Sequence, residues 1–261
     1  MLRSWTWLLI VFSLPGLARA VESSDAVHRE RVRAGAWIGP AAVNGILQLR
    51  TPTANSDVRL DLLPAVALGV DLWPAEQTGL YLGGAVGVGA DIKFPTGQKV
   101  RYNLHQFEAG GRYRWHLSGA SNALALVGAL GVRGLYQTAQ EQRPSVLIDR
   151  LIAGPELRLG LEWPLLSGRL WLRAHGRAGL PFFVRESPND SGDPTEFRAF
   201  GGHLDVVVKV TGGWSVQLAA DVYDATIDFN GQGTRAAGVL SARTHDRFAT
   251  GGLWLRYAFA D

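Results

Sequence analysis

The chain has 261 residues, 47% of them hydrophobic, 19% charged and none cysteine. Without thiols there is no disulfide framework, no thiolate nucleophile and no cysteine metal site. The formal net charge of +3 falls to +1 when residues 1–20 are set aside, because they hold Arg3, Arg19 and no acid. Neither nucleic acid nor an acidic partner is implied.

The N-terminus reads as a secretory signal: Arg3, an apolar run from Trp5 to Leu14, then Ala18-Arg19-Ala20 as a small-residue cleavage site. The run is shorter than the roughly 20 residues that cross a bilayer, so cleavage after Ala20 is expected. Residues 21–30 form a short polar lead-in, expected in the periplasm, and residues 31–261 a single domain. No later segment approaches the length of a transmembrane helix.

Beyond the lead-in the chain alternates with period two. Val58, Leu60, Leu62, Val66, Leu68, Val70 and Leu72 oppose Arg59, Asp61, Ala65, Gly69 and Asp71. Leu80, Leu82, Val86, Val88 and Ile92 oppose Tyr81, Gly83, Gly87, Asp91 and Lys93. Leu170 and Leu172 oppose Arg169 and Arg173, and Leu204, Val206 and Val208 oppose His203, Asp205 and Lys209. A helix would wrap such charges around its axis; a strand segregates them. The pattern predicts about ten strands, near 31–40, 58–73, 79–94, 99–117, 122–138, 146–164, 168–186, 196–211, 213–229 and 244–260. Connections at 74–78, 118–121, 164–167 and 212 are tight, whereas 41–57, 187–195 and 230–243 are long. Tight turns on one side and longer loops on the other suit a transmembrane barrel with its short side in the periplasm. Trp73, Trp115, Trp163, Trp171, Trp214 and Trp254 all fall near that side. Trp115, Trp163 and Trp214 share the apolar phase, and the other three do not.

In lipid only helices and closed barrels satisfy every backbone group. An exported chain rich in apolar residues but lacking a spanning helix is therefore expected to be all-β, a transmembrane antiparallel up-and-down barrel of about ten strands (8–12). Its last stretch places Leu253, Leu255, Tyr257 and Phe259 on one face, and Trp254, Arg256 and Ala258 on the other. With Thr250 and Gly252 before it, this stretch resembles the closing strand of bacterial outer-membrane β-barrels, although the chain runs two residues past Phe259. The resemblance implies that Gly252, Leu255, Tyr257 and Phe259 carry an insertion signal read by the barrel-insertion machinery. It also implies location in the cell outer membrane of a Gram-negative bacterium, with outer-membrane lipid as partner.

The phase opposite the apolar one would fill the lumen with charge: Glu108, Arg112, Arg114, Arg133, Arg150, Glu156, Arg158, Glu162, Arg173, His175, Arg177, His203, Asp205, Lys209 and Asp221. Counting from the turns pairs Glu108 with Arg133, Glu156 with His175 or Arg177, Arg177 with Asp205, and His203 with Asp221. Such a lumen serves either as a salt-bridge plug that holds the barrel's shape or as a narrow passive channel for small polar solutes.

At the far end of the last hairpin stand Asp224, Asp228, His245 and Asp246. Strand count and rim chemistry resemble those of the omptin proteases, ten-stranded barrels with aspartates and a His–Asp pair at the rim, and the resemblance implies a rim protease as an alternative. Paired carboxylates and a histidine can activate water. A scaffold for surface adhesion or binding, using the loops Ala41–Asp57 and Asn230–Arg243, is another. No cofactor, metal site or nucleic-acid partner is expected.

Overall fold

A computed structural model describes residues 33–259 except 54, 94–98, 119–122, 141–146, 181–182 and 236–237. The expected signal and lead-in and the last two residues lie outside the described residues.

The strands are β1 (Arg33–Arg50), β2 (Asn55–Trp73), β3 (Thr78–Lys93), β4 (Lys99–His116), β5 (Ala125–Ala139), β6 (Asp149–Leu165), β7 (Leu170–Gly179), β8 (Phe183–Ser187), β9 (Asp193–Thr211), β10 (Trp214–Asn230) and β11 (Ser241–Ala258). Each neighbour pair is antiparallel, β5 joins β6, and β1 joins β11, so the sheet closes on itself. The short β8 pairs with β6 alone and extends the line of β7. Ten strands thus close the cylinder, as the alternation predicts, with β8 outside the count.

The first strand corrects the sequence reading. Residues 41–50, expected in a long loop, continue β1 in register with both β2 and β11. Ala41, Val43, Leu47 and Leu49 point inward and are buried, a period-two pattern hidden by Asn44 and Gly45. Only residues 51–54 then separate β1 from β2.

A second correction concerns phase. In β2 and β3 the alternation does not hold from end to end. Between Val43 and Gly45 of β1, β2 advances from Leu63 to Leu60, so Asp61 and Leu62 share one place opposite Asn44. Likewise β3 advances three residues from Gly87 to Ala90 while β4 advances two. An extra residue in one strand is a β-bulge, and it exchanges inside for outside beyond it. Gly89 supplies the second bulge with φ of 80°, a conformation that glycine adopts at no steric cost. Val58, Leu60 and Ile92, expected on the apolar outer wall, are therefore inside. Arg59 and Asp61, expected inside, are outside.

Consequently the interior has two storeys. Towards the loop end it is an apolar core of Val43, Leu60, Leu63, Ile92, Leu104, Leu135, Phe229 and Phe248, each nearly inaccessible. Towards the tight-turn end it is a charged network. The outer wall mirrors this division. Leu68, Val70, Leu82, Leu157, Leu204 and Leu218 form an exposed apolar band around the turn-end half. Trp115, Trp163 and Trp214 stand exposed at its edge, while Trp73 and Trp254 point inside. Around the loop end the wall is ion-paired instead: Arg243 with Asp228 at 2.5 Å, Arg247 with Asp224 at 2.9 Å, and Arg50 with Asp57.

Candidate functional site

The charged storey is built by inward-phase residues of eight strands, β2, β4, β5, β6, β7, β9, β10 and β11, whose phase the tight turns fix. Asp71 of β2 accepts from Arg112 at 2.6 Å and meets Arg256 at 2.9 Å. The Arg112 and Arg114 guanidiniums lie over the Trp73 ring, 4.2 and 4.0 Å from its centroid. Stacking of this kind suits the planar guanidinium. Glu162 meets Arg114 at 2.5 Å and Arg173 at 3.8 Å, and Arg173 reaches Asp205 at 3.9 Å.

Further in, Arg158 donates to Glu156 and Glu108, each at 2.6 Å, and lies over the Tyr81 ring. Arg133 stands 3.7 Å from Glu108 and 3.5 Å from Asp221. Arg177 pairs with Asp221 and stands 4.0 Å from Glu156. His203 lies between two carboxylates, Asp205 at 3.1 Å and Asp221 at 3.5 Å, and its ring stacks on that of His175 at 4.7 Å. A buried pair of this kind gains little net stability over an apolar isostere, but removing one partner strands the other.

Of the lumenal residues read from the sequence, Glu108, Arg112, Arg114, Arg133, Glu156, Arg158, Glu162, Arg173, His175, Arg177, His203, Asp205 and Asp221 all meet here. Glu108 sits opposite Arg133, and His203 opposite Asp221, as counted. Arg177 instead sits opposite Gly201 and takes Asp221, leaving Asp205 to Arg173. The β7–β9 ladder sets this exchange, since it places Arg173 opposite Asp205 and His175 opposite His203. Lys209, placed in the network by the alternation, is exposed at the turn end and joins none of these pairs. Asp71 belongs to the network although only its phase pointed there.

Arg150 lies apart, at the level of the apolar core. It donates to Asp246 at 2.6 Å and to Glu186 at 2.9 Å, and Gln137 also donates to Asp246 at 3.1 Å. Arg235, from the 231–240 connection, reaches Glu186 at 3.4 Å and the Ser191 hydroxyl at 3.0 Å. Burial, with Arg150 nearby, pulls the Arg235 guanidinium down to about 10.

This arrangement divides the four rim candidates. Asp246 points inward and is buried. Asp224, Asp228 and His245 point outward, where a His245 ring nitrogen lies 2.8 Å from Asp224 and the other 3.0 Å from Gln48. A single water cannot touch both groups. The cause is the strand itself, since consecutive residues such as His245 and Asp246 face opposite sides of the sheet. Among the described residues no group of three or more His, Asp or Glu side chains is placed to hold a metal ion.

At the seam, β11 pairs with β1 through Ile38–Leu255 and Gly35–Ala258, and the Phe259 amide donates to Ala34 at 2.8 Å. Of the proposed insertion residues, Leu255 and Phe259 face out, and Gly252 lies beneath the Trp254 ring.

No family model matches the sequence, and no curated protein matches it. Solved structures do match. The outer membrane protease OmpT from Escherichia coli aligns with a TM-score of 0.55 at 11% identity, over 91% of this chain and 99% of that one. The translocator domain of the autotransporter NalP from Neisseria meningitidis aligns with a TM-score of 0.42 at 12% identity, over 87% and 88%. The transport unit of the autotransporter AIDA-I from Escherichia coli gives 0.39 at 13%, over 91% and 94%. At such identities the likeness concerns architecture alone, and with the closed ten-stranded ladder it leads to one statement: this chain has the fold of the bacterial outer-membrane β-barrels.

Proposed function

We propose that the protein is a closed, non-conducting barrel of the outer membrane, a structural element and neither a pore nor a hydrolase. The observation that carries this reading is the packed apolar storey, which closes the interior towards the loop end. A solute entering from the turn end would have to part a continuous ion-pair network, then displace tightly packed Leu60, Leu63, Ile92, Phe229 and Phe248. Displacing a packed apolar core costs several kcal/mol.

Support for the location comes from the apolar outer band, the tryptophans at its edge and the signal-like leader. Lipid of the outer membrane is the partner of that band, and the insertion machinery is the partner of the last strand. Single-channel recording in planar bilayers tests the function. Silence is expected at all voltages that leave the bilayer intact, and reproducible conductance steps would overturn the reading. Recovery in the outer-membrane fraction, with gel mobility that changes on heating, checks the location. Recovery in the soluble periplasm would refute it.

A further inference from the structure

The charged storey lines a cavity of about 180 Å³, enough for several waters or one small solute. Its wall includes buried polar atoms that have no hydrogen-bond partner among the described residues. Donors, among them Tyr81 Oη, Trp254 Nε1, Arg112 Nε, and Arg177 Nε and Nη1, outnumber the acceptors Glu162 Oε2, Asp205 Oδ1 and Gln217 Oε1 by eight to three. Buried donors left unmet carry their full desolvation cost, so a wall of them favours an acceptor between them.

Charge gives a second, independent indication. The network sets seven guanidiniums, counting Arg112, Arg114 and Arg256 at its turn end, against six carboxylates. His203 adds to the positive side when protonated, and each of its ring nitrogens already has a carboxylate to receive a proton. Excess positive charge enclosed by a protein wall is screened little by solvent, which favours a compensating anion.

We propose that the cavity is a binding site for one small oxyanion, of the size of inorganic phosphate or a short carboxylate. The anion would accept from the donors that the wall leaves unmet, and complete the charge balance of the network. This goes beyond a silent barrel, since binding in the cavity and passage through the core are separate events.

The test uses the whole mature chain, folded in detergent and checked by its heat-sensitive gel mobility. Inorganic phosphate and acetate are titrated by calorimetry against chloride at equal ionic strength. In parallel the protein is refolded with phosphate, desalted and examined by phosphorus NMR, which detects an anion loaded only as the barrel closes. One-to-one binding or retention of either oxyanion is expected. It should weaken about tenfold in Tyr81→Phe, which removes one donor and no charge. It should be lost in Arg177→Gln and unchanged in Arg243→Gln, whose side chain lies on the outer wall. If Arg177→Gln does not fold, Tyr81→Phe decides alone. No bound oxyanion by either route, binding indifferent to Tyr81→Phe, or chloride matching both probes would overturn the proposal.

Discussion

His245 and Asp246 are neighbours in sequence yet belong to different environments. His245 lies on the outer wall, beside Asp224 and Gln48, and Asp246 is buried against Arg150 and Gln137. Substitution should separate them sharply. Asp246→Ala leaves Arg150 with Glu186 as its one carboxylate among the described residues, and is expected to cost about 3–5 kcal/mol, the loss typical of breaking a buried pair. His245→Ala and Asp224→Ala touch a half-exposed cluster and should each cost no more than about 1 kcal/mol. Urea unfolding followed by tryptophan fluorescence measures both, and equal losses would contradict the inward placement. Asp246 was legible in the sequence. Leu253, Leu255 and Tyr257 fix the odd residues of β11 outward, and the same parity carries back to Asp246. Grouping it with His245 as one rim site ignored that parity.

Among the elements, β2 and β3 show where the sequence stops being readable. Their turn-end halves obey the alternation, so Asp71 and Tyr81 fall inside as their phase requires. Beyond the bulges the same alternation is present but inverted, and nothing in a local run of apolar and polar residues marks which face is which. Only the partner strand reveals the extra residue. Gly89 gave the one local clue, because a left-handed glycine within a strand often marks a bulge. Gly89→Ala should cost about 1–2 kcal/mol from the backbone alone, because the added methyl would crowd no neighbouring atom. Equilibrium unfolding tests this, and a neutral substitution would mean that the bulge relaxes. The extent of β1 was hidden for another reason. Asn44 and Gly45 look like turn residues, but Gly45 packs against Phe248 and Leu60 where a side chain would not fit.

For the whole molecule, the two kinds of outer wall imply a membrane boundary. Leu204 lies in the apolar band and Arg247 in the ion-paired zone. Leu204→Arg is expected to cost about 2–4 kcal/mol in bilayers, the range for a charge facing lipid near mid-depth. Arg247→Leu should change stability by no more than about 0.5 kcal/mol, as exposed substitutions generally do. Unfolding measured in vesicles decides between this boundary and one set higher on the wall. The ten-strand cylinder and most of the inward charges were legible because period two survives wherever register is unbroken. The apolar upper core was not, because it depends on two displaced residues and on long-range pairing.

One aromatic pair spans the line where the cylinder closes. Trp37 of the first strand and Trp254 of the last stack at 4.7 Å with ring planes 25° apart. Each ring belongs to a strand that meets the other only when the seam has zipped. Two indoles so close exchange excitation and split their absorption, producing a paired positive and negative band in circular dichroism. The protein thus contains an optical clock for its own closure. Stopped-flow dichroism during refolding should show that couplet rising with the last phase and absent in Trp37→Phe. A couplet that forms with the first hairpins would place the seam early in assembly.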